Sequence, residues 1–194
     1  MRIIAGRLGG RRLKTAEGEG YRPAMGKTRE ALFSMLEARG LCWDAARVLD
    51  LFAGSGSLGF EALSRGAAHA LLVEMAPQAL RCLKENTAAL GLEQSVRLVE
   101  DDVLRVLRRS PPQPYDLIFM DPPYRKNLAE PALRLLVKNG WLAAGAFVTA
   151  EIEKDAPLPA PEALRPETQR LFGQTRICIW TLPGPFADAP AREK

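Results

Sequence analysis

From about residue 46 onward, short apolar runs of strand length alternate with stretches of helical periodicity, a pattern that leaves few folds open. Strands that read as continuous apolar segments are covered on both faces, so they belong to a parallel sheet with helices on each side. The apolar runs fall at 47–52, 70–74, 96–99, 115–120 and 146–152, and helical spacing at 57–65, 77–90, 103–109 and 128–137. The helix at 77–90 is the best marked: Pro77 stands at its start, Gly91 lies just past its end, and Leu80, Leu83, Thr87 and Leu90 recur on one face. Segments 169–172 and 176–182 are predicted to close the sheet as a hairpin across Gly173-Gln174. Residues 155–166 contain four prolines and read as a loop, and 183–194 as a disordered tail. A chain of 194 residues with 47% hydrophobic content suits one domain, so 46–182 is expected to be an α/β catalytic domain and 1–45 a small extension.

In that extension, residues 1–4 and 12–14 can pair around Gly9-Gly10, and Leu32, Met35 and Leu36 predict a helix over 27–38. Residues 1–30 carry eight Lys/Arg (Arg2, Arg7, Arg11, Arg12, Lys14, Arg22, Lys27, Arg29) against three acids, a local +5 beside +4 for the whole chain. A basic segment beside an otherwise neutral body is, on charge alone, either the footprint of a polyanion partner or a solvated, mobile arm. No apolar run of membrane-spanning length and no signal-peptide core occur, so a soluble, cytoplasmic monomer with no membrane partner is expected. Cys42, Cys82 and Cys178 have no CxxC spacing. They read as reduced packing residues, with no disulfide framework and no metal site.

Gly54-Ser55-Gly56-Ser57-Leu58-Gly59 matches GxGxxG between a strand and a helix, where backbone can approach a nucleotide-like cofactor. Asp50, four residues before the first glycine, selects among such cofactors. A carboxylate repels a pyrophosphate but suits the ammonium and sulfonium of S-adenosylmethionine. Phe52, Gly54, Ser55 and Gly56 would line that cofactor, Glu74 at the end of the second strand would accept its ribose hydroxyls, and Asp102, preferred over Asp101 because the next helix starts just after it, would read its adenine together with Val103. Asp121-Pro122-Pro123-Tyr124 follows a strand to the same sheet edge. A base amine is a poor nucleophile, because its lone pair is delocalised into the ring. Asp121 and the Pro122 carbonyl could accept its two N–H groups and aim the lone pair, and Tyr124 offers a face for a flipped base. This chemistry serves adenine N6, cytosine N4 or guanine N2 alike. Arg125 and Lys126 would then meet the substrate's phosphates. His69 and the three tryptophans read as structural.

These residues resemble a known family. Arg2-Ile3-Ile4-Ala5-Gly6-Arg7, Gly10-Arg11-Arg12-Leu13, Arg22-Pro23, Arg29-Glu30-Ala31-Leu32-Phe33, Asp50 to Gly56, Glu61 to Ala67 and Asp121 to Tyr124 are similar to the RsmD-type methyltransferases, over residues 1–182. Ala24 departs from the pattern, relatives often having Thr after Arg-Pro. The resemblance implies a Rossmann-like class I methyltransferase with a mostly parallel seven-stranded sheet. It also implies that S-adenosylmethionine donates a methyl group to N2 of a guanine in bacterial small-subunit (16S) ribosomal RNA, free or within a ribosomal particle, with Arg2, Arg7, Arg11, Arg12, Arg22, Lys27 and Arg29 holding the RNA. The rival readings are a DNA adenine-N6 or cytosine-N4 amino-methyltransferase, which 194 residues leave little room for, and a non-catalytic ribosome-assembly factor on the same scaffold. A nucleotide-cofactor oxidoreductase is disfavoured by Asp50.

Overall fold

A computed structural model describes residues 1–15 and 23–184. Five helices and seven strands alternate in the order α1 (Pro23–Glu37), β1 (Arg47–Leu51), α2 (Ser57–Arg65), β2 (His69–Glu74), α3 (Pro77–Leu90), β3 (Val96–Glu100), α4 (Val103–Leu107), β4 (Tyr115–Met120), α5 (Ala129–Lys138), β5 (Leu142–Glu153), β6 (Arg165–Phe172) and β7 (Thr175–Thr181). They build one seven-stranded sheet in the order β3-β2-β1-β4-β5-β7-β6. The first five strands are parallel, and β7 pairs antiparallel with β5 and β6. The order turns back between β1 and β4, which opens a crevice at the carboxyl ends of those two strands.

Strand alternation sends successive side chains to opposite faces. Val48 and Leu72, with Leu117, Phe119 and Phe147, pack on one face against α1, α2 and α3; Leu49, Leu51, Ile118, Val148 and Ala150 pack on the other against α4 and α5. The N-terminal segment joins the first of these layers. Arg2 and Arg12 form an antiparallel bridge, Leu13 N–H donates to Met1 O at 2.9 Å, and Ile3 and Leu13 are buried beside Phe60, Leu63 and Leu83.

Several element ends differ from the sequence expectation for local reasons. Helix α1 starts at Pro23 rather than near 27, proline being tolerated in a first turn. Strand β5 runs on to Glu153, because antiparallel pairing with β7 continues to the Glu153–Thr175 register. Strand β6 begins at Arg165, inside the expected loop. Its proline is accommodated because β6 is the edge strand and its register shifts between Pro166 and Thr168. Cys178 is buried and Cys82 half-buried, but Cys42 is exposed in the loop after α1 and is not the buried packing residue expected. Of the tail at 183–194, expected to be disordered, residues 185–194 lie outside the described residues, as does Arg22. Among the described residues no helix is long and apolar enough to cross a membrane.

Candidate active site

The crevice begins with the turn after β1, where the backbone is left-handed at Phe52 (φ 61°), Gly54 (φ 54°) and Gly56 (φ 83°). A Cβ on Gly56 would sit 2.4 Å from Phe60 Cε2 and 2.7 Å from Leu83 Cδ2, so glycine is required by both conformation and space. Phe52 holds a conformation that non-glycine side chains rarely adopt, a cost characteristic of ligand-binding turns. Asn86 of α3, 2% exposed, ties this turn to the basic segment: its Nδ2 donates to Ser55 O at 3.1 Å and Lys14 O at 2.9 Å, and its Oδ1 accepts Lys14 N–H at 2.8 Å.

Asp50 lies near the carboxyl end of β1, beside the glycine-rich turn, as its motif suggested. It is 1% exposed, and its Oδ2 accepts the N–H of Gly59 at 2.9 Å, joining the end of β1 to the first turn of α2. From there it fixes the first turn of α2 against the end of β1. Gly59 allows this approach, since a Cβ there would lie 2.4 Å from Leu72 Cδ2 and 3.2 Å from Asp50 Oδ2. Burial pushes the Asp50 carboxyl up to about 7; the Gly59 N–H opposes that rise and the nearby Glu74 charge adds to it.

Glu74 ends β2 at the same edge. Its Oε2 accepts Gly54 N–H at 2.9 Å, and its Oε1 accepts Met75 and Ala76 N–H at 2.7 Å each. The carboxylate is thereby fixed beside the glycine-rich turn while its oxygens keep further lone pairs for ligand hydroxyls. Asp102 caps α4 by accepting Arg105 N–H at 2.9 Å, and Val103 is buried at the start of that helix.

The Asp121-to-Tyr124 turn leaves β4, the neighbour of β1. Asp121 is exposed and Pro122 buried beneath it. The Tyr124 ring is 43% exposed, and its hydroxyl shares a 2.7 Å hydrogen bond with Thr175 Oγ1 of β7. Burial raises the Tyr124 hydroxyl pKa; the Thr175 bond works against this, and the charges of Glu151, Asp121 and Glu153 reinforce it. The turn exits through left-handed Arg125 (φ 63°) and Asn127 (φ 51°), with Arg125 N–H donating to Glu153 Oε1 at 2.6 Å. Two non-glycine residues in that region within three positions make this a second strained turn, at the end of β4. Sequence reasoning missed Glu151, Glu153, Thr175 and Asn86, which belong to no contiguous motif; the only signal was the alternation of Glu151 and Glu153 along one strand.

The expected RNA-contact residues separate into groups. Arg7, Arg12, Lys27, Arg125 and Lys126 are exposed. Arg2 and Arg11 are exposed but donate to the carbonyls of Gly10 at 2.9 Å and Ala89 at 2.6 Å. Arg29 is 7% exposed, and its guanidinium holds Met1 Sδ and the Arg2 carbonyl, so it anchors the N-terminal segment.

Comparison with known proteins agrees with this geometry. A sequence model of the family described as Conserved hypothetical protein 95 matches residues 1–181. Ribosomal RNA small subunit methyltransferase D of Haemophilus influenzae is 40% identical over 164 residues, covering 84% of this chain and 83% of that protein. The protein of the same name from Escherichia coli K12 is 40% identical over 163 residues, covering 84% and 80%. A solved Escherichia coli structure, described as a candidate methyltransferase, superposes with a TM-score of 0.83 at 35% identity, covering 95% of this chain and 98% of that one. The seven-stranded, mostly parallel sheet is the fold of class I methyltransferases.

Proposed function

Since the chain belongs to the RsmD family, we propose that it transfers a methyl group from S-adenosylmethionine to the N2 amine of a guanine in small-subunit ribosomal RNA. One observation carries the reading: the glycine-rich turn after β1 and the Asp-Pro-Pro-Tyr turn after β4 leave adjacent parallel strands at the point where the sheet order reverses. A cofactor held by the first turn therefore lies next to a base held by the second.

The residues present fit S-adenosylmethionine. The turn from Phe52 to Gly56 presents backbone without side-chain bulk at its two glycines, and Glu74 is a fixed carboxylate suited to paired ribose hydroxyls. Asp102 and Val103 stand at the next strand end for the adenine. When bound, the cofactor supplies an electrophilic methyl group on a cationic sulfur. The chain's own part is orientation: Asp121 and the Pro122 carbonyl accept the N–H groups of the target amine, and the Tyr124 ring stacks the flipped base. Exposed Arg125 and Lys126 take phosphates beside the base, and the basic N-terminal segment holds RNA further out.

The test is incubation with labelled S-adenosylmethionine and separate pools of ribosomal RNA, assembled small subunits and DNA, followed by digestion to nucleosides. The expected product is labelled N2-methylguanosine from 16S RNA, free or in the subunit. Asp121→Asn, which keeps shape and removes charge, should slow single-turnover methylation about a hundredfold. Label confined to DNA, or wild-type rates in Asp121→Asn, would refute the reading.

A further inference from the structure

Asp-Pro-Pro-Tyr chemistry fits any base amine, so something else must choose guanine. We propose that Glu151 makes that choice, its carboxylate accepting the N1–H of the target guanine while Asp121 and the Pro122 carbonyl hold the N2 amine. The proposal rests on the amine-methylation reading above and adds the residue that selects the base.

Placement is the first argument. Strands β4 and β5 are parallel and pair Met120 with Ala150, so Glu151, within the part of β5 that runs on beyond β4, comes level with Asp121, the first residue past β4, at the carboxyl edge of the parallel strands. Residues of equal register in parallel strands point to the same face. Phe119 and Phe147 fix that face as the one carrying α1 to α3. Glu151 therefore lies on the face of the sheet to which Asp50 and Glu74 also belong, beside the base-holding turn. The part its charge plays in raising the Tyr124 hydroxyl pKa places it in the surroundings of that ring.

The second argument is what Glu151 lacks. Asp50 accepts Gly59 N–H, Glu74 accepts three backbone N–H groups, and Glu153 accepts Arg125 N–H. Among the described residues Glu151 alone of these acids has no hydrogen bond and no ion pair. It is half-buried, and burial raises its pKa. A carboxyl group kept partly from water without a donor is costly, and a donor delivered by the ligand removes that cost while favouring the ionised form.

The chemistry of the bases then decides. An ionised carboxylate only accepts hydrogen bonds. Guanine presents a ring N1–H next to its N2 amine, two donors in a row. Adenine and cytosine present a ring-nitrogen lone pair next to their amines, which Glu151 would repel. Two adjacent acceptors on β4 and β5 thus match guanine and reject the other two amines.

2-Aminopurine separates the parts of this argument, because it carries the N2 amine but has a lone pair in place of N1–H. Single-turnover methylation would be measured on the wild type's RNA substrate with guanine or 2-aminopurine at the target position. Wild type should prefer guanine by at least about a hundredfold. Glu151→Gln, whose amide can donate to N1, should narrow that preference to less than about tenfold, slowing guanine and speeding 2-aminopurine. Glu153→Gln should leave the preference unchanged, and unchanged melting temperature and cofactor affinity would show that Glu151→Gln is intact; Glu151→Ala serves if it is not. An unchanged preference in the Glu151 variants, or no preference in wild type, overturns the proposal and leaves amine methylation standing. No methylation of guanine by wild type overturns the functional reading itself.

Discussion

Asp50 holds a carboxyl group with 1% exposure against a single backbone donor, and its affinity for a proton follows from that. Its pKa rises from 3.8 to about 7, burial being the main cause. The folded protein therefore binds this proton more tightly than the unfolded chain. The stability so gained is fully present below about pH 4 and lost as pH rises through 7. Asn at this position keeps an acceptor for Gly59 N–H and has nothing to titrate. Unfolding free energies of wild type and Asp50→Asn, measured from pH 4 to 8, should diverge in favour of the variant by up to about 4 kcal/mol. Parallel curves would show that Asp50 does not hold its proton in the fold. At this scale the sequence is legible only where function sits in consecutive residues. Asp121, Tyr124 and the glycines announce themselves by motif. Asp50 was located correctly on its strand, but its burial depends on Leu72 and Gly59 from other elements, and Glu151 gains its meaning only from the β4–β5 register.

The basic segment and α2 are joined by an arrangement that no periodicity reveals. Glu61, fully buried, accepts Ile4 N–H at 2.6 Å and Ala5 N–H at 3.0 Å and pairs with Arg65 at 3.0 Å. Ser64 adds Leu8 N–H at 3.0 Å, and Gly6 must be glycine because a Cβ would lie 2.0 Å from Ser64 O. Glu61→Ala leaves these donors without their acceptor inside the core and should cost about 3–5 kcal/mol in urea unfolding. A loss below about 1 kcal/mol would mean that the segment is held by packing alone. Deleting the segment would uncover Ile3 and Leu13, so the RNA role proposed for it is better tested by charge removal. Arg7→Gln with Arg12→Gln alters exposed side chains only. It should spare the melting temperature while flattening the log-affinity against log-salt slope by roughly 0.7 to 0.9 for each phosphate that is no longer neutralised. An unchanged slope would remove both residues from the RNA surface. Helix and strand cores were readable here, and their ends were not: β5 and β6 are prolonged by pairing with β7, information that lies outside either segment.

At the scale of the molecule, the parallel half of the sheet was legible because doubly covered strands must be apolar along their whole length. The edge strand β6, polar over most of its length and exposed or half-buried throughout, was legible only at its hairpin end, and the insertion of β7 between β5 and β6 is set by that hairpin rather than by hydrophobicity. The N-terminal segment shows a further reach of the fold. Its partners Glu61, Ser64 and Asn86 lie 56 to 72 residues downstream. During translation at about 5 to 20 residues per second, Ile3 and Leu13 therefore wait on the order of 4 to 15 seconds for the surface that will cover them. Arg2, Arg7, Arg11 and Arg12 flank those two side chains throughout the wait. The same charges thus act as gatekeepers of the nascent chain, keeping its first apolar residues dispersed until α3 has been made.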